Sequence, residues 1–196
     1  MEKDLYSACF NNLLPTVKSL LTKNTSLDVN WENPDYGLNT CLHVASREGH
    51  VDVVEELLRH PQIDVNHRSQ NKSTPYLLAA LNGRVEVVKL LLHDPRVDLN
   101  LPDKLDRTPL WEAASYGHTM VINWMFASGR KLEVDRIGKA TAETKEMSVL
   151  DVAKERARVE VVALLESFKA NRLSCRLNIR RELGIQGKRT RTRIRN

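Results

Sequence analysis

The residues able to do chemistry in this chain are six histidines, three cysteines and a body rich in carboxylates. Their spacing organises none of them for catalysis. His60, His67 and His93 have no His or Cys four residues further on, the spacing that sets two ligands on one helix face, so no zinc site is expected. The eight glycines occur singly, without the clustering that lets a backbone cradle a phosphate, which argues against a nucleotide-using enzyme. Cys9, Cys41 and Cys175 are odd in number and far apart, and reduced thiols are expected. Cys9 and Cys41 stand where small apolar residues recur, and read as packed thiols rather than nucleophiles. The chain is therefore read as a non-enzyme with no cofactor and no metal.

The elements that must position any working surface are visible as a repeat. Thr40-Cys41-Leu42-His43, Thr74-Pro75-Tyr76-Leu77 and Thr108-Pro109-Leu110-Trp111 follow one another at a period of 34 residues. In phase with them come Ala45, Ala79 and Ala113, then Gly49, Gly83 and Gly117, then Val53-Val54, Val87-Val88 and Val121-Ile122. Each copy closes on Asp64-Val65-Asn66, Asp98-Leu99-Asn100 or Glu133-Val134-Asp135. Threonine caps a helix through its hydroxyl, and proline fits the first helical position, where no N–H is needed. Glycine then supplies a tight turn, and the following apolar residues recur at helical spacing. Each copy is thus two short helices and an extended return. Such a hairpin cannot bury both faces alone, so copies must stack.

The T-P-L-H start, the alanine pair, the G-H turn, the V-V-x-x-L-L run and the D-V-N return together resemble the ankyrin repeat, over about residues 4 to 168. Two partial copies flank the three full ones. Leu5, Ala8, Asn12, Val17, Leu20 and Leu21 match a first, and Ser148, Leu150, Ala153, Val161, Val162, Leu164 and Leu165 match a fifth, with Ala157 where the turn glycine would stand. The expected fold is an all-α ankyrin solenoid with hairpin-like finger loops and a basic C-terminal tail. Its expected copies are about 1–30, 31–66, 67–100, 101–135 and 136–168, followed by a basic segment at 169–196. Finger loops are expected at residues 31–39, 67–73, 101–107 and 131–146, the last lengthened because Thr108 and Ser148 lie 40 residues apart. His60-Pro61 and Asp94-Pro95 replace the usual Gly-Ala, ending the second helix by a proline device. Trp111 and Trp124 are assigned to packing.

What the resemblance implies about function is a surface for another protein, with the stack acting as a monomer. His43 is implied to tie the loop network of its repeat, and His50 and His118 to belong to the turns between helices. The family's concave side, made of fingers and first helices, nominates Arg47, Glu48, Leu81, Asn82, Ser115, Tyr116, Glu155 and Arg156 on helices. On fingers it nominates Trp31, Tyr36, Arg68, Gln70, Lys104, Leu105 and Arg107. Aromatic and arginine side chains carry most binding energy in interfaces, which sharpens the choice to Trp31, Tyr36, Arg68, Arg107 and Tyr116. Trp31 has a second reading, as a cover for the core of the end repeat.

Charge divides the chain. Residues 1–168 carry a formal −4 and residues 169–196 a formal +9, within a total of +5. The run containing Lys188, Arg189, Arg191, Arg193 and Arg195 fits three roles: contact with nucleic acid or an anionic membrane, a nuclear-import signal, or a solvated terminus. A short helix is expected between Phe168 and Gly184, with Leu173, Leu177, Ile179 and Leu183 not sharing one face. No run approaches the roughly 18 apolar residues of a membrane-spanning helix. Met1-Glu2-Lys3-Asp4 lacks the layout of a secretion signal, so a cytoplasmic or nuclear location is expected.

Overall fold

A computed structural model of the chain describes residues 1–24, 26–141 and 145–185. Ten of its helices form five antiparallel pairs: α1 (Glu2–Phe10) with α2 (Leu14–Lys23), α3 (Cys41–Glu48) with α4 (Val51–Leu58), α5 (Pro75–Leu81) with α6 (Val85–His93), α7 (Pro109–Tyr116) with α8 (Thr119–Ser128), and α9 (Val149–Glu155) with α10 (Val159–Ala170). An eleventh, α11 (Arg172–Glu182), follows. First helices pack in the series α1, α3, α5, α7, α9, and second helices in the series α2, α4, α6, α8, so each pair touches the pairs before and after it. The result is an all-α repeat solenoid.

The local reasons are the ones the repeat demands. Thr74 Oγ1 accepts from the backbone N–H of Leu77 at 3.1 Å, and Thr108 Oγ1 from that of Trp111 at 3.2 Å, each satisfying one orphan donor at a helix start. Ser148 and Asp151 cap α9 reciprocally, the Asp151 carboxylate accepting from Ser148 N at 3.1 Å. Ala8, Ala45, Ala79, Ala113 and Ala153 are all buried, because only a small side chain lets successive first helices approach. Val53, Val54, Val87, Val88, Leu91, Val121 and Ile122 are buried between pairs and form the continuous core.

Three rows of hydrogen bonds tie one repeat to the next. Along the returns, Asn30 Nδ2 donates to Gln62 O while its Oδ1 accepts from Asp64 N; Asn66 does the same with Arg96 O and Asp98 N, and Asn100 with Lys131 O and Glu133 N. At the turns, His50, Arg84, His118 and Arg158 donate to the carbonyls of Phe10, Arg47, Leu81 and Ser115 in the preceding repeat. Between fingers, the N–H groups of Gln70, Lys104 and Lys139 donate to the carbonyls of Gly37, Asn71 and Leu105. The fingers are thereby held as a row.

The described residues of the long fourth finger include a short strand pair. Ile137–Lys139 (β1) pairs antiparallel with Glu146–Ser148 (β2), with Gly138 opposite Met147. Gly138 lies against finger 3, where a Cβ would come 3.1 Å from Arg107 Cγ and 3.2 Å from Asp106 O. Trp111 Nε1 donates to Met147 O at 3.1 Å and ties this hairpin to α7.

The short helix expected after residue 168 is present, and its four apolar residues fall on two faces. Cys175 and Ile179 are buried and Leu183 is half-buried beside them, at i, i+4 and i+8, whereas Leu173 and Leu177 are exposed. The buried stripe that the sequence reading did not name is completed by a cysteine, Cys175. Arg176 Nε donates to Phe126 O and Arg180 to Ala127 O, capping the C-terminal end of α8, and Lys169 pairs with Asp135 at 3.0 Å. Part of the basic charge in this segment therefore serves the fold.

Candidate functional site

The face built from the fingers and the first helices collects most of the nominated residues. On the helices, the two positions nearest each turn read Phe10, Arg47, Leu81, Ser115 and Glu155, and then Asn11, Glu48, Asn82, Tyr116 and Arg156. Tyr116 is 47% exposed and the Arg156 guanidinium lies over its ring at 5.4 Å. Arg47 and Glu48 are half-buried and paired to each other at 2.8 Å. Leu81 and Asn82 are half-buried, the Asn82 amide donating to Leu78 O, and Glu155 is exposed.

Ser115 is a correction. It is 0% exposed, and its hydroxyl has no hydrogen-bond partner among the described residues. Its helix is packed between α5 and α9, and a serine is too short to reach past those neighbours, where Arg47 at the equivalent position does.

On finger 1, Trp31 is half-buried and meets Tyr6 edge-on at 6.3 Å, while Tyr36 is 55% exposed with its ring 5.8 Å from that of Tyr6. Burial pushes the Tyr6 phenol up to about 12. Trp31 thus covers the end repeat's core with one side, and Tyr36 presents the free aromatic surface. On finger 2, Arg68 and Gln70 are exposed, with Arg68 donating to Lys72 O at 3.2 Å and to Pro102 O at 2.6 Å. On finger 3, Lys104 is exposed, with Nζ donating to Asn71 Oδ1 at 2.6 Å, and Leu105 is half-buried.

Arg107 is the second correction. Its guanidinium is bound to the buried Asp103 carboxylate, with Nε donating to Oδ2 at 2.8 Å, and it lies 3.1 Å from Glu112 Oε1. The β1 strand covers its stem. A side chain so committed supports the finger rather than offering itself to a partner.

Sequence reading passed over Glu112. It occupies the slot that Val44, Leu78 and Val152 fill in other repeats, is 1% exposed, and neither of its oxygens accepts a hydrogen bond among the described residues. Burial pushes its carboxyl up to about 7, with the Arg107 guanidinium opposing. A charged residue in an apolar column was the signal.

His43 ties the start of its own helix to the next finger. Nδ1 accepts from Thr40 N at 3.2 Å and Nε2 donates to Ser73 O at 2.9 Å, which needs the neutral ring. Burial lowers its pKa to about 4. Trp111 is fully buried, and Trp124 is half-buried with Lys89 Nζ 4.5 Å from its ring centre.

The cationic residues Lys188, Arg189, Arg191, Arg193 and Arg195 lie outside the described residues. Among the described residues no helix is long and apolar enough to cross a membrane, and no group of three or more His, Cys, Asp or Glu could hold a metal ion.

A family model described as ankyrin repeats (three copies) matches residues 5–103, 61–137 and 78–172 of the chain. No curated protein matches it.

Proposed function

Because the chain belongs to the ankyrin-repeat family, we propose that it is a non-enzymatic scaffold or adaptor that docks a partner protein on the face made by its fingers and first helices. Ankyrin repeats are generally protein–protein interaction modules. The observation that supports this surface is a contrast within each repeat. The buried column Ala8, Ala45, Ala79, Ala113, Ala153 never changes type, while the column Asn11, Glu48, Asn82, Tyr116, Arg156 changes at every step. Stacking constrains the first column and leaves the second free to suit a partner. Tyr36, Tyr116 and Arg156 are the anchors on this reading, since they are exposed and of the types that dominate interface energetics.

The test is affinity capture with the full chain beside the triple variant Tyr36→Ala, Tyr116→Ala, Arg156→Ala. Loss of roughly 2 kcal/mol or more of binding to a captured partner, with unchanged melting, supports the surface. A second reading rests on the five cations between Lys188 and Arg195, which suit phosphate contact by counterion release, or nuclear import. Binding that survives the triple variant but collapses with rising salt, and on changing those five residues to Gln, would transfer the function to the tail.

A further inference from the structure

From fingers 2 and 3 we infer that the docked segment of the partner is acidic and extended, an inference that rests on the docking surface proposed above. Arg68, Lys72 and Lys104 are exposed there, and none forms an ion pair with a carboxylate among the described residues. The acids nearby are already engaged. Asp103 holds Arg107, Asp106 pairs with Arg136 at 3.4 Å, and Glu32 meets His67 at 3.3 Å. A local excess of positive charge is thus left on a body whose formal charge is −4.

Arg68 and Lys104 are also held in place. Arg68 bridges the two fingers through Lys72 O and Pro102 O, which leaves Nη1 free of any described acceptor, and Lys104 Nζ rests on Asn71 Oδ1. Side chains already restrained lose less entropy on binding a carboxylate than freely rotating ones. Because the fingers are joined backbone to backbone, Tyr36, Gln70 and Lys104 stand at the same place on three successive fingers. A segment laid along the row meets an aromatic ring over finger 1 and cations over fingers 2 and 3. Discrete carboxylates match that pattern. A continuous phosphate backbone fits it less well, because finger 1 carries no Lys or Arg between residues 31 and 39.

The experiment is fluorescence anisotropy of a labelled Asp/Glu-rich peptide against the full chain, with an Asn/Gln peptide of equal length as control. The variant Arg68→Gln, Lys72→Gln, Lys104→Gln is expected to weaken binding about tenfold or more, as the loss of three charge contacts implies. Changing Lys188, Arg189, Arg191, Arg193 and Arg195 to Gln should leave most of it. As Arg68 and Lys104 Nζ each also link the two fingers, Lys72→Gln alone serves as the variant with no such structural part, and its affinity should fall as well. Wild-type affinity in both finger variants, or loss confined to the tail variant, overturns the inference. So does a labelled single-stranded oligonucleotide that binds the same three residues more tightly than the peptide. If the finger variants bind normally while the Tyr36, Tyr116, Arg156 variant still loses its captured partner, the acidic segment is refuted and the docking surface stands.

Discussion

Glu112 and His43 are two buried ionisable residues whose effects on stability oppose each other. Glu112 would release its proton near 4.5 in the unfolded chain but holds it to about 7 in the fold, so its contribution to stability is present below 4.5 and is lost as pH rises through that window. His43 would take up a proton near 6.5 when unfolded but resists it to about 4 when folded, so its contribution is present above 6.5 and lost as pH falls. Between 4.5 and 6.5 the two slopes cancel. Replacing Glu112 with Leu, as at the equivalent Leu78, is expected to raise stability near pH 8 by about 1 to 3 kcal/mol, because a poorly satisfied buried ion is removed and Arg107 keeps Asp103. It should also expose the acid-side loss due to His43. Denaturant melts across mildly acidic to mildly basic pH would check both, and parallel profiles for the wild type and Glu112→Leu would contradict the assignment.

At the scale of the element, the turn between paired helices uses one conformation five times: Asn12, Gly49, Gly83, Gly117 and Ala157 all have positive φ. At Gly83 two demands coincide. Its φ is +65°, and a Cβ there would lie 2.8 Å from Nδ1 of His118, the ring that donates to Leu81 O. Gly83→Ala is expected to cost about 2 kcal/mol, from left-handed strain and from displacing that ring. The opposite change, Ala157→Gly, relieves a φ of +54° in the last turn and should add up to about 1 kcal/mol. Thermal melts of the two variants moving in the same direction would sink this account of the turn.

At the scale of the whole molecule, stability passes between neighbours along the stack, and α11 adds to it by packing back on α8 and α10. Phe168 stacks on Phe126 at 3.7 Å, and Ile179 adds a buried side chain in a helix packed on α8 and α10. Ile179→Ala should therefore cost about 2 to 4 kcal/mol, whereas Leu177→Ala, two residues away and exposed, should stay within about 0.5 kcal/mol. In the middle of the stack, Leu91→Ala should cost about 2 to 5 kcal/mol by opening a cavity. Equal effects at Ile179 and Leu177 would mean that α11 is not a packed part of the body.

The repeat was legible from the residues alone because stacking makes the same demand of every copy. A buried alanine column, a capping Thr-Pro, a turn glycine and a return asparagine must recur in phase, and their recurrence determined the helix pairs, the core and the place of the fingers. Position along a repeat could not decide which nominated side chains are free. Ser115 is covered by α5 and α9, one repeat away on either side, and Arg107 is folded back onto Asp103 of its own finger with the β1 strand over its stem. The stripe of Cys175, Ile179 and Leu183 likewise acquires its meaning only against α8. Core periodicity is a property of one repeat, whereas the exposure of a surface side chain depends on its own length and on neighbours some 30 to 40 residues distant, which only the folded stack brings together.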